Sequence, residues 1–339
     1  KALKLDFKAR STGEILISEI DQSIRNLTFT VRNLRKWMKP VRRRASFGAG
    51  ILGAKSLLQP SPLGTVGIIA PWNFPVGMIF YPAASIFASG NCIMAKPSEI
   101  TSYTAELIKE AVEKFFDINE FAVCLGGAKI GEDFSKLSLD HLLYIGSNEV
   151  AKKVLSNSSK NLVPTTLELG GKSPTIVSED ADLRLAAKRI IFAKTVNAGQ
   201  ICLAPDYVFV KRGLESDFVE ELKKAFESFY PESNQYDYTS MVNKQHFARI
   251  NGWIEDALSK GAEVISLGQF DTTNENLITT KVLLNVNGRM EVMQKEIFGP
   301  VLPILGYDNL EEVVNYINSR DRPLGLYFFG DRKKEQQYI

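Results

Sequence analysis

A thiol, a carboxylate and an amide define the chemistry this sequence could perform. Cys202 lies in Asn197-Ala198-Gly199-Gln200-Ile201-Cys202-Leu203-Ala204-Pro205, between a predicted helix and a predicted strand, where a thiol can face a pocket. A nucleophilic thiol must be substantially thiolate when it reacts. The usual partner is histidine, but the chain has only two, His141 and His246. His141 directly precedes a strand-like run and His246 sits in a polar helical stretch, so both read as structural or solvated. That argues against a Cys–His hydrolase. Activation by a carboxylate, by backbone donors or by the cationic ring of a bound cofactor remains. Cys92 and Cys124, set in strand-like runs, read as small buried hydrophobes.

The carboxylate candidate is Glu168, in Leu167-Glu168-Leu169-Gly170-Gly171-Lys172-Ser173-Pro174. Apolar neighbours would raise its pKa towards the range useful for a general base. The plainer reading is a surface glutamate before a Gly-Gly turn. The amide candidate is Asn73, in Pro71-Trp72-Asn73-Phe74-Pro75, a proline-stiffened loop after a strand. A fixed amide aimed at a developing alkoxide can be worth about 3–4 kcal/mol.

These residues need elements to hold them. Short β-rich apolar runs occur at 65–70, 92–95, 122–125 and 142–145, with helical stretches between most of them, the clearest at 102–116. A second set follows Gly170-Gly171: strands at 174–177, 206–210, 263–266 and 282–286, and helices at 182–195, 215–229 and 244–260. Such alternation predicts an α/β protein of two parallel-sheet domains, 1–170 and 171–339, with ligands at the carboxyl ends of the strands. Before them, Ile17, Ile20, Ile24, Leu27, Val31, Leu34 and Met38 recur at steps of three and four. They predict an amphipathic helix, ended by Pro40, whose apolar face packs on a larger core.

Composition narrows the classes. The 41 basic and 39 acidic residues nearly cancel to +2, which gives no reason to expect a nucleic-acid partner. The basic run from Arg35 to Arg44 reads as a solvated surface rather than a phosphate or acidic-lipid site. Three widely spaced cysteines form neither a disulfide framework nor a zinc pattern, so a reducing, cytoplasmic location and no metal are expected. Pro71, Asn73 and Pro75 interrupt the best apolar run, so no membrane span is expected. Gly48-Ala49-Gly50-Ile51-Leu52-Gly53 matches a dinucleotide fingerprint, but it follows a basic run rather than a strand. Gln59-Pro60 lies where its helix should continue, and no acid stands about twenty residues on. It reads as a flexible connection.

Six segments taken in order resemble the aldehyde dehydrogenase superfamily: Pro71–Pro75 (PWNFP), 96–99 (KPSE), 144–147 (YIGS), 168–174 (ELGGKSP), 199–205 (GQICLAP) and 296–300 (EIFGP). GQICLAPDYV and RDRPLGLYFFG are most similar to its short-chain dimeric branch, which includes coniferyl aldehyde dehydrogenases. The resemblance implies Cys202 as nucleophile, Glu168 as general base, and Asn73 as oxyanion donor beside the backbone N–H of Cys202. It implies Lys96 and Glu99 at the adenosine ribose, and Gly146 and Ser147 at the pyrophosphate. Glu296 would hold the nicotinamide ribose, and Phe298 would shape that pocket. A carboxylate at Glu99 suits a ribose diol and repels a 2′-phosphate, favouring NAD while NADP stays open. Trp72 and Phe74 hint at apolar or aromatic aldehydes, coniferyl aldehyde among them.

Two departures stand out. Ala151 replaces a glycine usual in the helix after YIGS, and restricts how closely that helix approaches a pyrophosphate. The family also continues past the position of Ile339 with a glycine-rich segment and terminal strands that build the dimer. On this reading a C-terminal oligomerisation segment is missing, and a homodimer is expected where it is present. The competing readings are a non-oxidative thiol acyltransferase or thioesterase, and a catalytically inactive structural protein on the same fold.

Overall fold

The computed structural model describes residues 1–231, 237–270, 276–331 and 333. The chain forms two compact units. One is Ile15–Glu168; the other joins Lys1–Glu14 to Leu169–Ile339. Lys1–Glu14, which the sequence reading gives to the N-terminal domain, therefore belong with the later half of the chain.

Unit Ile15–Glu168 begins with a helix in two parts, a π-helical stretch Leu16–Asp21 and an α-helix Gln22–Trp37. The expected periodicity is present, but it faces the other way. Ile17 is 65% exposed and Val31 71%, while Glu19 is fully buried and Thr30 nearly so. The inward face bonds to helix Gly77–Ala88: Asn26 Nδ2 donates to the Tyr81 carbonyl at 2.8 Å, and the Tyr81 hydroxyl donates to the Ser18 carbonyl. Directional polar bonds help dock this helix.

An antiparallel hairpin of β1 (Val41–Arg43) and β2 (Ser56–Leu58) follows, exposed along both strands. Gly48–Gly53 lie in its connection, partly within a short exposed helix Phe47–Ile51. Then come β3 (Thr65–Ile69), β4 (Cys92–Lys96), β5 (Phe121–Val123), β6 (His141–Gly146) and β7 (Thr165–Leu169). They form one sheet in the order β5-β4-β3-β6-β7, with β3 parallel to β4 and β6, and β4 parallel to β5. Ile68, Ile93 and Ala95 of this sheet bury against Ile79 and Ala83 of one helix and Ile108 and Val112 of another. The chain runs outward from β3 through β4 to β5, then returns to β6 on β3's other side. That reversal makes the carboxyl edge at β3 and β6 a topological switch point.

In the other unit, β8 (Pro174–Val177), β9 (Tyr207–Lys211), β10 (Glu263–Ser266), β11 (Lys281–Leu284), β12 (Val301–Tyr307) and β13 (Tyr327–Phe329) form a sheet ordered β10-β11-β12-β9-β8-β13. Five strands pair in parallel, but edge strand β10 runs antiparallel to β11. The expectation of a purely parallel sheet is corrected there: sequential strands that lie side by side without a crossover helix run antiparallel. β12, central and largely buried, is unassigned by the sequence reading. Its Pro303 has no N–H to give, an unusual residue for a central strand. The two faces of the sheet are covered by separate clusters, one around Phe218, Leu222 and Phe226, the other around Ile250, Met293 and Ile297.

Candidate active site

Within unit Ile15–Glu168, the expected site residues follow the carboxyl ends of adjacent strands. Register places Ile69 opposite Lys96 on one side and Tyr144 on the other. Asn73 follows β3 in the loop before helix Gly77–Ala88 and is 4% exposed. Lys96 closes β4, and its Nζ lies 2.6 Å from Glu99 Oε2. Ser98 opens the turn Glu99–Thr101, its hydroxyl accepting from Ile100 N. Burial pulls the Glu99 carboxyl up, but the Lys96 hydrogen bond and charge outweigh it and hold the group below the usual carboxylate range. Gly146 ends β6, and Ser147 caps helix Asn148–Ser158 with its hydroxyl facing Val150 N. Ala151 is buried one turn in, its N–H bonded to the Ser147 carbonyl.

Glu168 departs from expectation. It is exposed on β7 while Leu167 and Leu169 are partly covered. Side chains of a strand alternate between faces, so the flanking leucines point away from the carboxylate rather than around it. Cys92 and Cys124 are half-buried, not fully buried. Burial raises the Cys124 thiol pKa, against the opposing charge of Lys109.

In the other unit, helix Leu183–Thr195 ends in a turn of unusual backbone. Asn197 and Ala198 have φ of 50° and 51°, and Gly199 has φ of 70°. A side chain on Gly199 would meet the Gly299 carbonyl oxygen at 2.6 Å, so the turn needs glycine there. Left-handed non-glycine residues cost about 1–3 kcal/mol each and persist only where their surroundings over-determine them. Here Glu14 Oε2 accepts from Asn197 N at 2.9 Å. Gln200 Nε2 donates to the Asn197 and Ser240 carbonyls, and its Oε1 accepts from Val242 N. Past the turn, Cys202 is half-buried and free of any disulfide. The chain after it is pinned by Tyr327 Oη donating to the Leu203 carbonyl at 2.6 Å and by Lys194 Nζ donating to the Pro205 carbonyl at 2.9 Å. Complete burial lowers the Lys194 pKa to about 8.

Glu296 and Phe298 lie in the segment before β12. Arg249 donates to the carbonyls of Ile297 and Phe298 at 2.9 and 3.3 Å, holding Phe298 at a φ of 48°. Lys172 bonds Asp206 and the carbonyls of Val292 and Lys295, while Asp206 Oδ2 accepts from Ile297 N. Glu296 packs against Gly170, and burial pushes its carboxyl up to about 7. Its Oε1 is buried without a hydrogen-bond partner. An acceptor of that kind fits a hydroxyl donor such as a ribose diol.

Sequence reasoning did not single out Glu14, Asp206 or Arg249 as supports of these segments. The one available signal was Asp206, an acid opening the apolar run Tyr207-Val208-Phe209-Val210 and so in need of a partner. Among the described residues, no group of three or more His, Cys, Asp or Glu is placed to hold a metal ion, and no helix is long and apolar enough to cross a membrane.

Comparison with known proteins agrees with this architecture. The family model described as "Aldehyde dehydrogenase family" matches residues 8–339. A protein of Caulobacter vibrioides named "Probable coniferyl aldehyde dehydrogenase" is 43% identical over 345 aligned positions, covering 100% of this chain and 71% of its own length. Among solved structures, the substrate-bound state of Staphylococcus aureus AldH superposes with a TM-score of 0.94 at 35% identity, covering 100% of this chain and 73% of that one. A Mycobacterium tuberculosis aldehyde dehydrogenase complexed with NAD+ superposes at 0.88 with 25% identity, covering 100% and 71%. The chain belongs to the aldehyde dehydrogenase family and is an NAD(P)-dependent oxidoreductase.

Proposed function

We propose that this chain oxidises an apolar or aromatic aldehyde, of the coniferyl aldehyde class, to its carboxylic acid through a covalent adduct on Cys202. The observation that carries the reading is the left-handed turn Asn197–Gly199, over-determined by Glu14 and Gln200 just before a half-buried cysteine that is in no disulfide. Strain of this kind is kept where it places a reacting group. The Cys202 thiolate attacks the aldehyde carbon, forming a C–S bond and an alkoxide. Asn73 and the backbone N–H of Cys202 donate to that oxyanion. When bound, a nicotinamide dinucleotide would supply the acceptor for the hydride that the thiohemiacetal must lose to become a thioester. Glu168 takes a proton from the water that hydrolyses the thioester, releasing the acid and the thiolate. Exposure on β7 leaves its carboxylate open to water, as that step requires.

Lys96 and Glu99 would hold the adenosine ribose, Gly146 and Ser147 would support the pyrophosphate, and Glu296 with Phe298 would hold the nicotinamide end. The Glu99 carboxylate favours NAD over NADP. On this reading the unit Ile15–Glu168 supplies most of the dinucleotide site, and the unit that includes Leu169–Ile339 carries the nucleophile. The likeness to the dimeric branch supports a homodimer, and three cysteines outside any disulfide suit a reducing cytoplasm.

The test is the absorbance of reduced nicotinamide on adding coniferyl, benzyl and aliphatic aldehydes with NAD or NADP. Cys202→Ser should abolish the signal and leave cofactor binding intact. Turnover in that variant at the wild-type rate would refute the mechanism. Thioester hydrolysis without any aldehyde-dependent signal would favour a non-oxidative thiol enzyme.

A further inference from the structure

The N-terminal segment buries one carboxylate completely. Glu19 is 0% exposed, and its Oε2 accepts two successive backbone N–H groups, Val76 at 3.0 Å and Gly77 at 2.9 Å. These amides open helix Gly77–Ala88, where the first N–H groups have no partner inside the helix. Such groups are usually satisfied by a Ser, Thr, Asp or Asn at the cap position. Val76 occupies it here and its side chain offers no acceptor, and Pro75 before it has no N–H. The acceptor comes instead from a residue 57 positions earlier in the chain. Charge strengthens both bonds, because a carboxylate at a helix N-terminus meets the positive end of the helix dipole.

Burying a carboxylate is costly, and an apolar residue would satisfy packing more cheaply. What only an acceptor provides is direction. One oxygen shared by two consecutive amides fixes the orientation of the first helical turn. The loop carrying Asn73 lies between that turn and the end of β3. Upstream it is fixed where Ala70 N bonds the Lys96 carbonyl at 3.1 Å. Downstream the Phe74 carbonyl accepts from Met78 N at 2.9 Å, so the loop leads straight into the turn that Glu19 holds. A second clamp on the same helix, the Tyr81 hydroxyl on the Ser18 carbonyl, sits beside Glu19 in sequence.

We infer that Glu19 is a positioning residue for the proposed oxyanion donor: by capping Val76 and Gly77 it fixes the loop that aims the Asn73 amide. The inference rests on the reading of Asn73 given above. Truncating Glu19 should then lower kcat with little change in aldehyde KM, since an oxyanion donor acts on the transition state.

The experiment compares Glu19→Ala, Glu19→Asp, Glu19→Gln, Asn73→Ala and the Glu19→Ala/Asn73→Ala pair in the intact protein. Asn73→Ala should lose about 100-fold in kcat. Glu19→Ala should lose at least about tenfold, with aldehyde KM within about threefold, because small misplacements of a catalytic group carry large costs. In the Asn73→Ala background the same substitution should cost less than about twofold, since its effect runs through Asn73. Glu19→Gln keeps an acceptor oxygen at the same reach and should recover most of the rate. Glu19→Asp keeps the charge but falls short of both amides, and should behave like Glu19→Ala. If Glu19→Ala does not fold, the Gln and Asp variants decide. Equal rates in Glu19→Asp and wild type would overturn the inference, as would an undiminished loss in the Asn73→Ala background. A wild-type kcat in Asn73→Ala would instead remove the oxyanion reading itself, and this role for Glu19 with it.

Discussion

Asp206 Oδ2 accepts the backbone N–H of Ile297 at 2.9 Å, while its other oxygen meets the Lys172 ammonium. One buried carboxylate thus ties the strand that follows Cys202 to the segment that carries Glu296. Burial depresses the Lys172 pKa, and Asp206 is its largest opposing influence. Removing one partner of a buried pair leaves the other charge uncompensated, at a cost of about 3–5 kcal/mol. Asp206→Ala should therefore lower unfolding stability by that amount in urea. A loss below about 1 kcal/mol would show that Lys172 finds other compensation.

Glu296 gives a pH dependence with a definite sign. Its carboxyl titrates near 4.5 ordinarily and about 7 in the fold, raised first by burial. Between those values the unfolded chain releases a proton that the folded chain keeps. Stability therefore falls as pH rises from about 4.5 to about 7, and stays lower above that. Glu296→Gln should be more stable than wild type by on the order of 3 kcal/mol near pH 8, and equal to it near pH 4. Denaturation at both pH values checks this, and equal stability at the higher one counts against it.

Gly170 tests the same carboxylate sterically. A Cβ there would run into both carboxylate oxygens of Glu296, closer than any real contact. Gly170→Ala must displace the carboxylate. If Glu296 accepts from the nicotinamide ribose, the dinucleotide KM should rise about tenfold, the equivalent of one weakened charged hydrogen bond. Aldehyde KM should stay within about twofold at saturating cofactor. A selective rise in aldehyde KM would assign Glu296 to the substrate instead.

Glu14 is the external support of the turn before Cys202. Its Oε2 accepts from Asn197 N and from Thr239 Oγ1, and its Oε1 pairs with Arg10 Nε at 3.0 Å. Without it the two left-handed residues have less to hold them. Alkylation of Cys202 by iodoacetamide should slow about tenfold in Glu14→Ala, with Cys92 and Cys124 as internal controls read by peptide mass spectrometry. Asn197→Gly, which removes one of the backbone penalties, should restore part of the rate. Unchanged Cys202 labelling in Glu14→Ala would show that Gln200 suffices.

Elements set by local signals were legible in sequence. The runs at 65–70 and 92–95 became β3 and β4 because β-branched and apolar stretches closed by Pro or Gly can form little else. Lys96 and Glu99, three residues apart, pair as closely as their spacing allows. The supports were not legible, because each acts over a long separation: 183 residues for Glu14 and Asn197, 91 for Asp206 and Ile297, 48 for Arg249 and Ile297. No local pattern encodes such a partner. Glu168 shows a different failure. Leucines on either side read as an apolar setting, yet strand geometry sends them to the opposite face. The helix Gln22–Trp37 shows a third: periodicity identifies an apolar stripe but not what that stripe faces.

That helix has a thermodynamic consequence. Because its inward face carries Ser23, Asn26 and Thr30, and Ile24, Leu27, Phe29 and Val31 are already exposed, peeling it away would wet little additional hydrocarbon of its own. Such an opening has a small heat-capacity change and a shallow denaturant slope, unlike global unfolding of either sheet. Native-state hydrogen exchange across 22–37 should therefore proceed through openings nearly indifferent to urea, while amides of β3 and β9 exchange with a steep dependence. The helix would behave as a latch released by losing a few bonds, not as a slab pulled from oil.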